Sequence, residues 1–135
     1  IYKVKRGINI SYKNDGKNKY LIYGIENRIE QIIANLLDNA ISFSDDNKDV
    51  IVQVSKSEDN KVYIKILDEG QGFKEKDTNK IFKRFYSNRP DKFGQHSGLG
   101  LNIVKNLVDL HNATIKATNR EDKKGASMEI EFPKV

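Results

Sequence analysis

Residues 25–41 read Ile25-Glu26-Asn27-Arg28-Ile29-Glu30-Gln31-Ile32-Ile33-Ala34-Asn35-Leu36-Leu37-Asp38-Asn39-Ala40-Ile41. Apolar side chains at 29, 32, 33, 36, 37 and 40 recur at intervals of three and four, the stripe of an amphipathic helix that must bury one face. Asn35 and Asn39 stand four apart, so their amides project from one face about one turn from each other. Side-chain carbonyl oxygens are hard ligands suited to Mg²⁺. Two amides at helical spacing are more often helix surface or packing hydrogen bonds than a metal site, so the pair alone decides nothing. Asp38 lies one residue off that face and is expected to point to solvent.

Upstream of this helix, residues 8–12 alternate weakly and run into Asn14-Asp15-Gly16, a turn signal because Asp and Gly tolerate positive φ. Residues 19–23 are therefore predicted to return as the partner strand of a hairpin. Downstream, the β-branched runs 50–54 and 62–66 are joined by the polar turn Ser57-Glu58-Asp59-Asn60 and predict an antiparallel pair. Residues 74–97 break into charged residues, one short apolar piece (Ile81, Phe82, Phe85) and Pro90. A connection of that length inside a compact domain is usually functional. A second helix is predicted from Gly98-Leu99-Gly100, with Leu101, Val104, Leu107, Val108 and Leu110 as its apolar face. Strands 113–118 and 127–132 follow, separated by Asp122-Lys123-Lys124-Gly125. Two long helices among these strands predict an α+β fold, a two-layer α/β sandwich with helices on one face of a mixed, mainly antiparallel sheet.

The 135 residues suffice for one domain with one core, and residues 1–135 are read as a single unit. No apolar run approaches the roughly 18 residues of a membrane span. The absence of cysteine excludes disulfides and thiolate metal sites. A chain that begins at Ile1 reads as a segment of something longer. The net charge is +5, but 24 basic and 19 acidic residues are mixed along the chain. That pattern argues for solvated surface, and no nucleic-acid partner is expected.

Two glycine motifs bear on ligand chemistry. Asp68-Glu69-Gly70-Gln71-Gly72 at a strand end combines a carboxylate, able to accept the exocyclic amine of a purine, with glycines that let backbone approach a ligand. A simple tight turn explains such a loop equally well. Gly98-Leu99-Gly100 before a helix suits phosphate through backbone N–H groups, although one such motif is weak evidence.

Order and distance make the set specific. The chain resembles the histidine-kinase branch of the superfamily that includes DNA gyrase, the chaperone of the ninety-kilodalton class and the mismatch-repair ATPases, whose fold is the Bergerat-type sandwich. The matching pieces are an N box (Asn35-Leu36-Leu37-Asp38-Asn39-Ala40), a G1 box (Asp68-Glu69-Gly70-Gln71-Gly72-Phe73), an F box (Ile81-Phe82-Lys83-Arg84-Phe85-Tyr86) and a G2 box (Ser97-Gly98-Leu99-Gly100-Leu101). The resemblance implies ATP and Mg²⁺ as cofactors, with Asn39 on the metal, Asp68 reading the adenine amine, and Gly70, Gly72 and Phe73 shaping the pocket. It implies a lid over residues 74–97, with Ser97, Gly98, Leu99, Gly100 and Leu101 at its hinge and phosphate contact. Asn35 and Arg84 fall at catalytic positions.

In the ATP-hydrolysing relatives a Glu stands where this chain has Asn35, and an amide cannot act as a base. The expected chemistry is γ-phosphoryl transfer to a histidine on a dimerisation domain, not hydrolysis. Neither His96 nor His111 sits in a phosphoacceptor pattern, so this segment should not autophosphorylate alone, and His111 is expected to be a structural turn residue. Relatives often carry a basic residue and then a Tyr near the ribose where this chain has Ser42 and Phe43, which leaves Phe43 at the nucleotide and moves the cationic role to Arg84, Arg89 or Lys92. His96 stands where Gly is common.

The implied partners are the phosphoacceptor domain of the same kinase and, indirectly, a response-regulator receiver domain. The implied parent is a membrane-bound homodimer with this domain, itself monomeric, on the cytoplasmic side. A serine kinase of the anti-sigma-factor type and a degenerate nucleotide-binding scaffold are the alternative readings.

Overall fold

The computed structural model describes residues 8–14, 16, 20–74, 78–83 and 100–135. Among these residues five strands form one sheet: β1 (Asn9–Lys13), β2 (Asp49–Lys56), β3 (Val62–Leu67), β4 (Thr114–Asn119) and β5 (Ala126–Phe132), in the order β1-β2-β3-β5-β4. Among the described residues two α-helices, α1 (Glu26–Phe43) and α2 (Gly100–Leu110), pack on one face, and Thr78–Phe82 forms a short 3₁₀ turn beside them. The sheet is mixed and mainly antiparallel, as expected. Among the described residues no helix is long and apolar enough to cross a membrane.

The predicted N-terminal hairpin is not observed. Residues 20–25 carry no strand, and β1 pairs in parallel with β2, Asn9 opposite Asp49 through to Lys13 opposite Gln53. A parallel neighbour requires a crossover, and α1 supplies it. The strand expected at 19–23 rested on the turn signal at residues 14–16, and residues 20–23 are extended without pairing. Tyr20 and Ile22 rest on the core while Leu21 and Tyr23 face solvent, which an extended segment achieves without a ladder.

The core lies between the helices and the sheet. α1 buries Ile32, Leu36, Ala40 and Ile41, and α2 buries Val104 and Val108. Opposite them stand Val50, Val62, Ile66, Ala117, Met128, Ile130 and Phe132, each buried. Fully burying such an aliphatic or aromatic side chain contributes about 1.5–3 kcal/mol, so this single layer dominates the fold. Ile81 and Phe82 join the core, which assigns Phe82 to packing. The other sheet face is polar, with Gln53, Lys65, Glu129 and Lys116 in one cross-strand row and Lys65 Nζ 3.6 Å from Glu129.

Both helix ends are explicable locally. Ile25, extended at φ −93°, accepts the N–H groups of Arg28 and Ile29 at 2.9 and 3.0 Å, and Glu26 in the first turn complements the helix dipole. At the end of α2, Asn112 is left-handed at φ 56°, with Ala113 N–H donating to Val108 and Asn112 N–H to Asp109. These two bonds define a Schellman stop in which Asn replaces the usual Gly.

Candidate functional site

The first piece of the site is the end of α1. Asn35 and Asn39 are half-buried on this helix and Asp38 is exposed, as the helical spacing predicts. The helix stops at Phe43, itself half-buried, where Ser44 turns extended and its N–H closes on Ala40 at 3.0 Å. Ser44 then forms an isolated antiparallel bridge with Gly70. Its buried hydroxyl accepts the N–H of Glu69 at 3.3 Å. This residue joins the Asn helix to the Asp68–Gly72 loop, and no feature of the sequence singled it out.

The loop itself follows β3. Asp68 is 4% exposed, and its Oδ1 accepts two backbone N–H groups, from Gly70 at 2.9 Å and from Ala126 at 3.0 Å. Paired backbone donors fix the orientation of a carboxylate and satisfy part of the cost of burying it. Gly70 is required by space, because a Cβ there would collide with the carbonyl of Phe43. Gly72 has φ 76°, and Phe73, half-buried, packs against the core. Glu69 is held by partners outside the loop. It accepts the Asp49 N–H at 2.9 Å and lies 3.5 Å from Lys123, and these partners, that backbone hydrogen bond foremost, hold its carboxyl below the usual glutamate range.

The third piece is the start of α2. Gly100 opens the helix with free space where a Cβ would be, and Leu101 packs against the core. Ser97, Gly98 and Leu99 lie outside the described residues, as do Arg84, Arg89, Lys92 and His96. Most of the expected lid falls there too. His111 is buried with both ring nitrogens engaged, Nε2 accepting the Ile25 N–H at 3.1 Å and Nδ1 facing the Leu107 carbonyl at 2.7 Å. It ties the entry of α1 to the exit of α2, a structural role.

A cavity of about 520 Å³ lies on the polar sheet face among Lys65, Lys116, Arg120 and Glu129. None of the residues singled out from the sequence lines it. The candidate site therefore stands on its carboxylate, amides and glycines.

A family model described as "Histidine kinase-, DNA gyrase B-, and HSP90-like ATPase" matches residues 24–135. The chain is 36% identical over 128 residues to Sensor protein ChvG of Agrobacterium fabrum, which covers 90% of this chain and 21% of that protein. It thus spans about a fifth of the length of that protein and of its namesake in Rhizobium meliloti. Among solved structures, the catalytic domain of histidine kinase ThkA superposes with a TM-score of 0.81 at 26% identity, over 98% of this chain and 82% of that one. Full-length ShkA in complex with AMPPNP gives 0.82 at 25% identity, over 98% of this chain and 27% of that one.

Proposed function

The chain belongs to the histidine kinase-, DNA gyrase B-, and HSP90-like ATPase family, and from that premise we propose that it is the ATP-binding catalytic domain of a two-component sensor kinase. In this reading it binds Mg-ATP and donates the γ-phosphoryl to a histidine on a separate dimerisation domain. The observation that carries the reading is the buried carboxylate of Asp68, aimed by two backbone N–H groups at the end of β3 and bridged to the Asn-bearing helix through Ser44 and Gly70. The similarity to named sensor histidine kinases supports it and does not favour the serine-kinase alternative.

The residues present suit the nucleotide and its metal. Asn35 and Asn39 offer neutral carbonyl oxygens, the donor chemistry of a hard cation. Asn39 would hold Mg²⁺, and the backbone N–H groups opening α2 at Gly100 would meet phosphate oxygens. The bound metal supplies neutralisation of charge on the phosphates. Asp68 would accept the adenine amine, while Gly70, Gly72, Phe43 and Phe73 shape the pocket wall. Asn35, an amide, takes no proton, so transfer rests on positioning and leaves hydrolysis poor. Arg84 is assigned the cationic role toward the phosphates. The parent protein is read as a membrane-bound homodimer with this domain in the cytoplasm, passing phosphate onward to a receiver domain.

Calorimetric titration of the 135-residue domain with AMPPNP, with and without Mg²⁺ and with a guanine analogue as comparison, tests the reading. Mg²⁺-dependent, adenine-selective binding is expected. Asp68→Asn retains an acceptor for the Gly70 and Ala126 amides but presents a donor where adenine also donates. It should keep a cooperative melt and lose at least tenfold in affinity, about 1.4 kcal/mol. Undiminished affinity in that variant would remove the assignment.

A further inference from the structure

The loop from Asp68 to Phe73 is gripped at both ends by two consecutive residues that belong to none of the motifs. At its start, the Arg120 side chain is 4% exposed and its Nη1 donates to the Asp68 carbonyl at 3.1 Å. The same guanidinium donates from Nε and Nη2 to the two carboxylate oxygens of Asp122 at 3.0 and 2.8 Å. Bidentate pairing of this kind holds the planar group in one orientation. The backbone N–H of Arg120 also donates to Gly125, and Gly125, at φ 146°, lies so near the Asp68 carbonyl that a Cβ would strike it. At the far end of the loop, Asn119 donates from Nδ2 to the Phe73 carbonyl at 3.0 Å and accepts the Phe73 N–H at 2.6 Å. One side chain thereby copies the two hydrogen bonds of a strand neighbour.

We propose that Asn119 and Arg120 are positioning residues for nucleotide recognition, acting through the backbone of residues 68–73 and not by contact with the nucleotide. The inference rests on the reading of Asp68 as the group that accepts the adenine amine. Its physical basis is the chain of constraints on that carboxylate. Oδ1 is aimed by the N–H groups of Gly70, in the same loop, and Ala126, in β5, and where the Gly70 donor stands depends on how the peptide after Asp68 is turned. Arg120 pins the carbonyl of that peptide. Asn119 fixes where the loop ends, and so the curvature available to Gly70 and Gly72. An arginine stays charged at any working pH, and burying it without Asp122 would be costly. Asp122 is exposed, so the grip is set by a group that can be altered without opening the core.

The test compares the wild-type domain with Asn119→Asp, which turns a donor into a repelling acceptor, with Arg120→Met, which removes the donors at similar length, and with Arg120→Lys as partial rescue. The readouts are AMPPNP and GMPPNP affinities, thermal melts, and the amide resonances of Gly70, Phe73 and Ala126. Expected are cooperative melts, shifted resonances at those three amides, AMPPNP affinity weakened at least tenfold with adenine-over-guanine selectivity reduced, and intermediate behaviour in the Lys variant. Wild-type affinity and selectivity in both Asn119→Asp and Arg120→Met would overturn the proposal. Should Arg120→Met fail to fold, Asp122→Asn takes its place and is read in the same way. Loss of cooperative melting in every variant would assign the pair to folding alone and overturn it equally. A wild-type domain that binds no AMPPNP would instead remove the reading of Asp68 on which the proposal depends.

Discussion

Asp68 and Glu69 are adjacent carboxylates put to opposite uses by the direction each faces. Asp68 turns inward and is aimed by amides from its own loop and from β5, whereas Glu69 turns outward and fastens the loop to the start of β2 and to Lys123. Because its partners hold the Glu69 carboxyl below the usual range, ionised Glu69 contributes stability above the ordinary glutamate pKa, and that contribution is lost as pH falls through the lowered value. Glu69→Gln should lower stability at pH 7 and flatten its decline on the acid side, as urea midpoints measured from pH 7 down to pH 3 would reveal. Gly70 makes a second prediction at this scale. Gly70→Ala sets a methyl against the Phe43 carbonyl and should break the Ser44 bridge, costing stability of about 1–3 kcal/mol together with AMPPNP binding. Asn39→Asp is expected to keep the melt and change the Mg²⁺ dependence of nucleotide affinity, because a charged oxygen replaces a neutral one at the proposed metal position.

At the level of elements, α1 carries both core and chemistry. Leu36 sits between Asn35 and Asn39 at 1% exposure, so Leu36→Ala should cost about 2–5 kcal/mol in urea-unfolding free energy without altering either amide. α2 ends on a left-handed Asn112, and Asn112→Ala should cost about 1–2 kcal/mol, since the turn demands a backbone shape that alanine adopts poorly. What was readable from the sequence follows the same division. Both helices, the β2–β3 pair and the β4–β5 pair are local objects with a period of 3.6 or 2 and a marked turn, and each was legible. The partner of β1 was not, because a parallel neighbour lies beyond an intervening helix and leaves no local trace. In the candidate site, Asp68, Gly70 and the Asn pair were singled out by the order and spacing of the motifs, through the family resemblance. Ser44, Asn119 and Arg120 were not, because a side chain that hydrogen-bonds distant backbone obeys no period.

Across the whole molecule, one face of the sheet carries the helices and the other a cross-strand row of opposite charges. Ligand binding and stability should be linked through the first face. If AMPPNP binds only the folded domain, then at a free concentration 100-fold above its dissociation constant it should add about 2.7 kcal/mol to the unfolding free energy. A melt that does not shift under those conditions would contradict Mg-nucleotide binding at the site. The hydrogen bonds on Asp68 carry a consequence in time as well as in space. One donor lies two residues away and the other fifty-eight, at the start of β5. A chain leaving the ribosome can close the β2–β3 hairpin early, but it holds no fixed carboxylate at residue 68 until β5 has docked.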